Sequence, residues 1–175
     1  MIFGVGSVME DIRELETERL RLRQWTVEDF PTFADYYSRA QTAQFVGGVK
    51  TREEAWRHMA LQAGHWSLMG FGYWPVEEKG TSDFVGCVGL WQSIDWPEME
   101  LGYWLLEKHY GKGYAREAGM RCKDIARHVL KAPSLVSYID ARNKPSIRLA
   151  ERMGAVYEKT VELANYGPHG VYRYF

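Results

Sequence analysis

The stretch ELGYWLLEKHYGKGYAREA, Glu100 to Ala118, changes character halfway along. Its first half, within "EMELGYWLL", alternates in the manner of a β-strand. Its second half, "HYGKGYAREA" from His109, sets two glycines, a lysine and an alanine against the start of a helix. Glycine is costly to order and is kept where backbone turns sharply or approaches something closely. A helix start adds unpaired N–H groups and partial positive charge. A stripped strand-to-helix turn therefore reads either as an anion cradle, with phosphate the natural guest, or as a tight turn that binds nothing.

The flanks supply the architecture. Upstream, "RLRLR" (Arg19 to Arg23) predicts a strand with Leu20 and Leu22 inward. Thr26 of "TVEDF" caps a first helix, and Thr51 with Glu54 of "TREEAW" forms a capping box for a second, extending to about Ser67. The runs "GFGYWPVEE", "DFVGCVGLWQS" and "EMELGYWLL" are parted by turn chemistry at "KGTSD" and "IDWP", which predicts an antiparallel meander. Pro75 demotes the first of these to an edge strand or a bulge.

Downstream, Ala115 to Leu130 has helical apolar spacing and stops before Pro133. "LVSYID" is a further strand, "KPSIRLAERMG" a short helix closed by Gly154, and the remainder two strands. The expected fold class is α+β: one domain over 16–175 behind an N-terminal tail over 1–15. "MIFGVGSVM" lacks the basic region and length of a signal peptide, and Met9 competes with Met1 as the natural start.

Composition narrows the partners. At 175 residues with 46% hydrophobic residues and a net charge of −1, the chain suits one globular domain without a basic surface for nucleic acid. No apolar run reaches membrane-spanning length. Cys87 and Cys122 lack metal-ligand spacing and read as buried free thiols in a reducing cytosol, so neither a metal nor a disulfide is expected. Seven tryptophans suggest an aromatic core, or a lined pocket or dimer face.

Two phosphate-binding motifs fail against "YGKGYAREA". There is no GxxxxGK[ST], and Arg116 stands where a GxGxxG fingerprint needs its third glycine. Asp140, at the end of the next strand, could serve as a ribose-binding acid, but a preceding antiparallel meander is the wrong context. The segment instead resembles the pyrophosphate loop of the GNAT N-acetyltransferases, [QR]-x-x-G-x-[GA], with Gly113 and Ala115 at the last two fixed positions and Tyr110 departing from the first. "TERLRLR", "DFVGCVGL" and "NKPSIRLAERMGA" are similar to further segments of the branch that holds the ribosomal-protein alanine N-acetyltransferases. The likeness covers residue 16 to about 172.

That resemblance implies a mixed, mostly antiparallel twisted sheet whose central strand splays from its neighbour to hold acetyl-CoA. The backbone of Trp104, Leu105 and Leu106 would pair with the pantetheine arm, and Asn143 would reach it. The amides of Gly111, Lys112, Gly113, Tyr114 and Ala115 would take the pyrophosphate. Ser146 matches a serine proposed to protonate the departing thiolate; the tyrosine that many members use is replaced by Ala150. Glu100 stands where the family often has a glutamate acting through water. By period two Glu98 shares its face. The five histidines read as surface residues, with His109 beside the cradle.

The expected activity is acetyl transfer to a primary amine by direct attack. An α-amine, with its pKa near 8 against about 10.4 for lysine, suits a site with modest acid–base equipment. A protein N-terminus, a small-molecule amine, and a CoA-binding module with little catalysis all remain open. Trp91 and Trp96 are candidate walls of the acceptor cleft. A homodimer is implied by the resemblance alone.

Overall fold

A computed structural model describes residues 11–175. The choice between Met1 and Met9 and the first ten residues of the predicted 1–15 tail lie outside them; of the rest of that tail, Ile12 and Leu15 are buried in the core and Leu15 opens the first strand. One sheet of eight strands organises the chain: β1 (Leu15–Glu16), β2 (Leu20–Leu22), β3 (Tyr73–Glu78), β4 (Phe84–Trp91), β5 (Glu100–Leu105), β6 (Val136–Ile139), β7 (Val156–Glu162) and β8 (Pro168–Arg173). Their spatial order is β1-β2-β3-β4-β5-β6-β8-β7, antiparallel throughout except where β5 meets β6.

Leu20 and Leu22 point inward from β2 as their spacing requires. The first helix opens with a 3₁₀ turn in which the Asp29 carboxylate accepts from the Thr26 amide (2.9 Å), and α1 follows over Phe30–Ser38. After the short α2 (Ala40–Ala43), the predicted capping box starts α3 (Arg52–Met69): Thr51 Oγ1 accepts from the Glu54 amide and Glu54 returns the bond. The helix beyond the glycine loop, α4 (Tyr114–Asp124), does not run on as α-helix to Leu130; it widens into a π turn over Ile125–Val129. Asn143 caps α5 (Lys144–Arg152).

Period two on β5 divides the core. Leu101 and Leu105 pack with Ala118, Cys122 and Ile125 of the α4 segment and with Ala150 of α5. Trp104 packs with Cys87 and with Phe33, Tyr36 and Tyr37 of α1 and Ala55 and Met59 of α3. Both cysteines are buried free thiols.

Of the two expectations for Pro75, the edge strand is corrected and the bulge is found. Pro75 lies on an interior strand, because β3 is flanked by both β2 and β4. The registered part of β2 ends at Leu22 opposite Val76, and Arg23 N donates to Pro75 O from beyond that end. The missing proline N–H thus falls where the ladder has already run out, and a bulge follows at Val76/Glu77.

Candidate active site

Strands β5 and β6 share one registered pair, Glu100 with Val136, plus the bond from Val136 N to Met99 O. Beyond it they separate, and the Leu101 carbonyl is taken by the Ser137 hydroxyl instead of backbone. On its β6 side β5 therefore leaves the peptide groups of Tyr103 and Leu105 unpaired. Of the predicted stretch Trp104 to Leu106 only Leu105 faces the split, because Trp104 lies opposite Cys87 with its peptide groups toward β4, and Leu106 donates to Val85 O and accepts from His109 N. A cavity of about 420 Å³ occupies this split and passes to the α1–α3 side of the sheet.

At the far end of the split, Gly111 and Gly113 both adopt left-handed backbone (φ 74° and 80°), so the turn itself demands glycine. The amides of 111–115 donate no hydrogen bond to any other described residue. Five unpaired N–H groups at the start of an eleven-residue helix fit an anionic group such as pyrophosphate. A Cβ on Gly111 would meet nothing within 4 Å, and one on Gly113 only Arg19, so no described atom fills the cradle.

The loop is braced by a residue that spacing could not find. Arg19 donates to the Lys112 carbonyl (2.9 Å) and pairs with Glu117 (2.7 Å). Glu117 also accepts from the Thr17 hydroxyl and the Arg19 amide. Tyr114 packs beneath Arg19 and donates to Glu78. Lys112 Nζ lies 3.4 Å from His109 Nδ1. Contrary to expectation, His109 and His65 are buried, and His58 faces the cavity. Burial together with Lys112 and Lys108 lowers the His109 pKa, and its Nε2 has no hydrogen-bond partner.

Glu100 sits at the hinge of the split, lining the cavity. Burial raises its pKa to about 7, against the opposing pull of the Tyr138 amide (3.4 Å) and Trp96 Nε1 (2.9 Å). That value is the range in which a general base works at neutral pH. Glu98 does not share this face. It precedes the strand, forks onto Arg173 (2.8 and 3.0 Å) and accepts from Ser134, which together hold its carboxyl at about 2. Its role is structural.

Asn143 and Ser146 both line the cavity. The Asn143 carbonyl oxygen accepts from the Ser146 amide (3.3 Å), so half of that side chain serves the cap and the NH₂ group is left over. Ser146 Oγ donates to the Tyr103 hydroxyl (3.1 Å). Tyr103 neighbours Tyr174, whose hydroxyl lies 3.0 Å from Ser137 Oγ. A chain of hydroxyls thus runs under the split, near the place of the missing family tyrosine at Ala150.

Trp91 and Trp96 both line the cavity, joined by Tyr37, His58, Gln62 and Tyr73, which sequence reasoning missed. Tyr73 reaches it because position 102 is glycine: a Cβ there would lie 1.8 Å from the Tyr73 hydroxyl. Gly102 was the available signal.

Known proteins give this geometry a context. The family model described as "Acetyltransferase (GNAT) domain" matches residues 19–156. A crystal structure of an acetyltransferase from Agrobacterium tumefaciens is similar at TM-score 0.86 and 32% identity, covering 98% of this chain and 99% of that one. The uncharacterized protein YkkB of Bacillus subtilis is 31% identical over 155 residues, 87% of this chain and 90% of its own. The ribosomal-protein-S5-alanine acetyltransferase of Vibrio fischeri shares the fold at TM-score 0.69 and 20% identity, covering 91% of this chain and 94% of that one.

Proposed function

The chain belongs to the GNAT acetyltransferase family, and on that premise we propose that it transfers acetyl from acetyl-CoA to a primary amine by direct attack in a ternary complex. The observation that carries this reading is Glu100: a cavity-lining carboxyl with its pKa near 7 at the one point where β5 and β6 still touch.

The donor side is supported by the cradle. The free amides of Gly111 to Ala115 and the α4 dipole would hold the pyrophosphate, with Arg19 fixing the loop. The peptide groups that β5 turns toward the split at Tyr103 and Leu105 and the spare NH₂ of Asn143 would pair with the amides of the arm. When bound, the thioester supplies an electrophilic carbonyl and a thiolate leaving group.

The acceptor must be neutral to attack. Glu100 takes its proton, directly or through one water, as the new C–N bond forms and the C–S bond breaks. We assign the proton that returns to the sulfur to Ser146, a cavity-lining hydroxyl held by its bond to Tyr103. Tyr103 donates its own proton to the Ser146 carbonyl (3.1 Å) and burial pushes its pKa up to about 12, so it stays protonated and holds the serine hydroxyl in place.

Calorimetric titration with acetyl-CoA, followed by CoA release against a panel of primary amines, tests the proposal. Saturable binding and amine-dependent release are expected. Binding without release for any amine would reduce the protein to a CoA-binding module.

A further inference from the structure

Resting on the acetyltransferase reading, we infer that the acceptor is a compact monoamine with an apolar, ring-bearing body, and not a polyamine, an amino acid or a peptide N-terminus. The argument comes from the charges and rings of the cavity wall.

Among the described residues no lysine or arginine lines the cavity, and the only carboxylates that do are Glu100 and Asp140. Asp140 is already neutralised, forked onto Arg142 at 2.6 and 3.0 Å. Burial, with Lys50 nearby, lowers His58 to about 4, so it is uncharged at neutral pH. His169, the other imidazole on the wall, is held by the Gly167 carbonyl at 3.1 Å, so Glu100 is the one carboxylate of the wall without a cationic partner. A single ammonium is matched there. A polyamine would bring further ammonium groups into a wall with no acid to receive them, and an unpaired buried charge is costly. A free amino acid would bring its carboxylate beside Glu100 with no cation to offset it.

The remaining wall is aromatic and held in place. Trp96 packs edge-on against Tyr138 and Tyr166, each at 5.9 Å. Trp91 stacks on His65 at 4.2 Å, and that histidine is fixed by the Phe71 carbonyl (2.7 Å). The polar groups of the inner wall are already engaged with one another. His58 lies 3.2 Å from the Tyr37 hydroxyl and 3.3 Å from Gln62, and Gln62 accepts from Cys87. Little is left to satisfy the backbone amides of a peptide, whereas rings welcome a ring or an alkyl body and the face of a cation. The Trp96 N–H bond to Glu100 ties the aromatic wall to the carboxylate, so the amine and its body are located together.

The test is CoA release at pH 8 with 2-phenylethylamine, tryptamine, spermidine, alanine and an alanine-ended hexapeptide. The ring-bearing monoamines should exceed every other acceptor in kcat/KM by about tenfold or more, the size of discrimination that one unmatched group produces. Spermidine, alanine or the peptide matching or beating them would overturn the inference and leave the acetyltransferase reading standing. Silence with every amine would overturn both. Trp91→Leu adds an independent measure: KM for 2-phenylethylamine should rise several-fold with kcat little changed. An unchanged KM in the folded variant would also count against the inference. Should that variant not fold, the wild-type ranking alone decides.

Discussion

Replacing Glu100 by glutamine keeps the shape of the side chain and removes its basicity. One of the two donors loses its acceptor. The glutamine oxygen can keep the shorter bond from Trp96 at 2.9 Å, leaving the longer one from Tyr138 at 3.4 Å. The kinetic consequence follows from the role. A positioned base contributes about 10²–10⁴ in rate, so kcat/KM should fall by about that factor near pH 8. The wild-type profile should rise through about 7 as Glu100 ionises, and the variant should lack that limb. The gap should narrow below pH 7, where the wild type has lost its base, and again at high pH, where the acceptor arrives neutral.

Stability should move the other way. Glu100 titrates near 4.5 in the unfolded chain and near 7 in the folded one, because burial disfavours its charge. The folded state therefore binds more protons between those values. Its stability is full below 4.5 and is lost as pH rises through 7. Glutamine escapes that loss, so the variant should match the wild type near pH 4 and exceed it at pH 8 by at most about 3 kcal/mol. Urea unfolding at both pH values, beside the pH–rate profile, gives the pair of readings. A variant that keeps the ascending limb, or that is less stable at pH 8, would refute the assignment.

Gly113→Asn should separate cradle from turn, since asparagine tolerates left-handed backbone better than most residues. Thermal stability should hold while acetyl-CoA affinity, read by calorimetry, falls about tenfold as the side chain crowds the free amides; unchanged affinity would leave the loop a mere turn. Glu98→Gln should lower Tm at pH 7 without altering kcat, because it breaks the fork to Arg173. The stabilisation from its depressed carboxyl is present above about 4.5 and lost as pH falls toward 2, the opposite slope to Glu100. Ser146→Ala and Tyr103→Phe should each cut kcat by about tenfold with little change in KM for acetyl-CoA, and the double variant should lose no more than either alone if the hydroxyls act as a unit. Additive losses in that cycle would dissolve the chain into independent residues.

Much of this architecture was legible because periodicity reports which face of an element is wet. Leu20 and Leu22, the Thr51–Glu54 box and the meander of three strands follow from local rules that tertiary contacts reinforced. The glycine loop was legible too, and of the two reasons weighed for its glycines the structure bears out the turn, since Gly111 and Gly113 both adopt left-handed backbone. What spacing could not supply were partnerships across long sequence distance. Glu98 looks equivalent to Glu100 until Arg173 is brought beside it by β8. Arg19 looks like an outward strand residue until its Lys112 contact is seen. Pro75 marks an edge only if β2 is assumed to run its full length. His58, Gln62 and Tyr73 carry no motif, and they meet in the cavity only because α3 lies across β3 and β4.

The strand order carries a consequence for how the molecule is made. Residues up to Leu105 fill one side of the split, β1 to β5, and β6, β8 and β7 fill the other. No strand of either half intrudes on the other, and the backbone pairing between them is confined to Glu100–Val136 and its neighbour Met99, with side-chain bonds such as Ser137 to the Leu101 carbonyl and Glu98 to Arg173 completing the junction. During synthesis the first five strands can close their ladder before the last three leave the ribosome. The C-terminal strands, antiparallel to one another, then dock as a second unit. The bonds from Leu135 N to Phe175 O and from Tyr174 N to Leu135 O tie the chain's final residues to the start of β6 beside that junction. The cleft is therefore a seam between two strand groups distant in sequence, and it is complete only when residues 168–175 have joined β6.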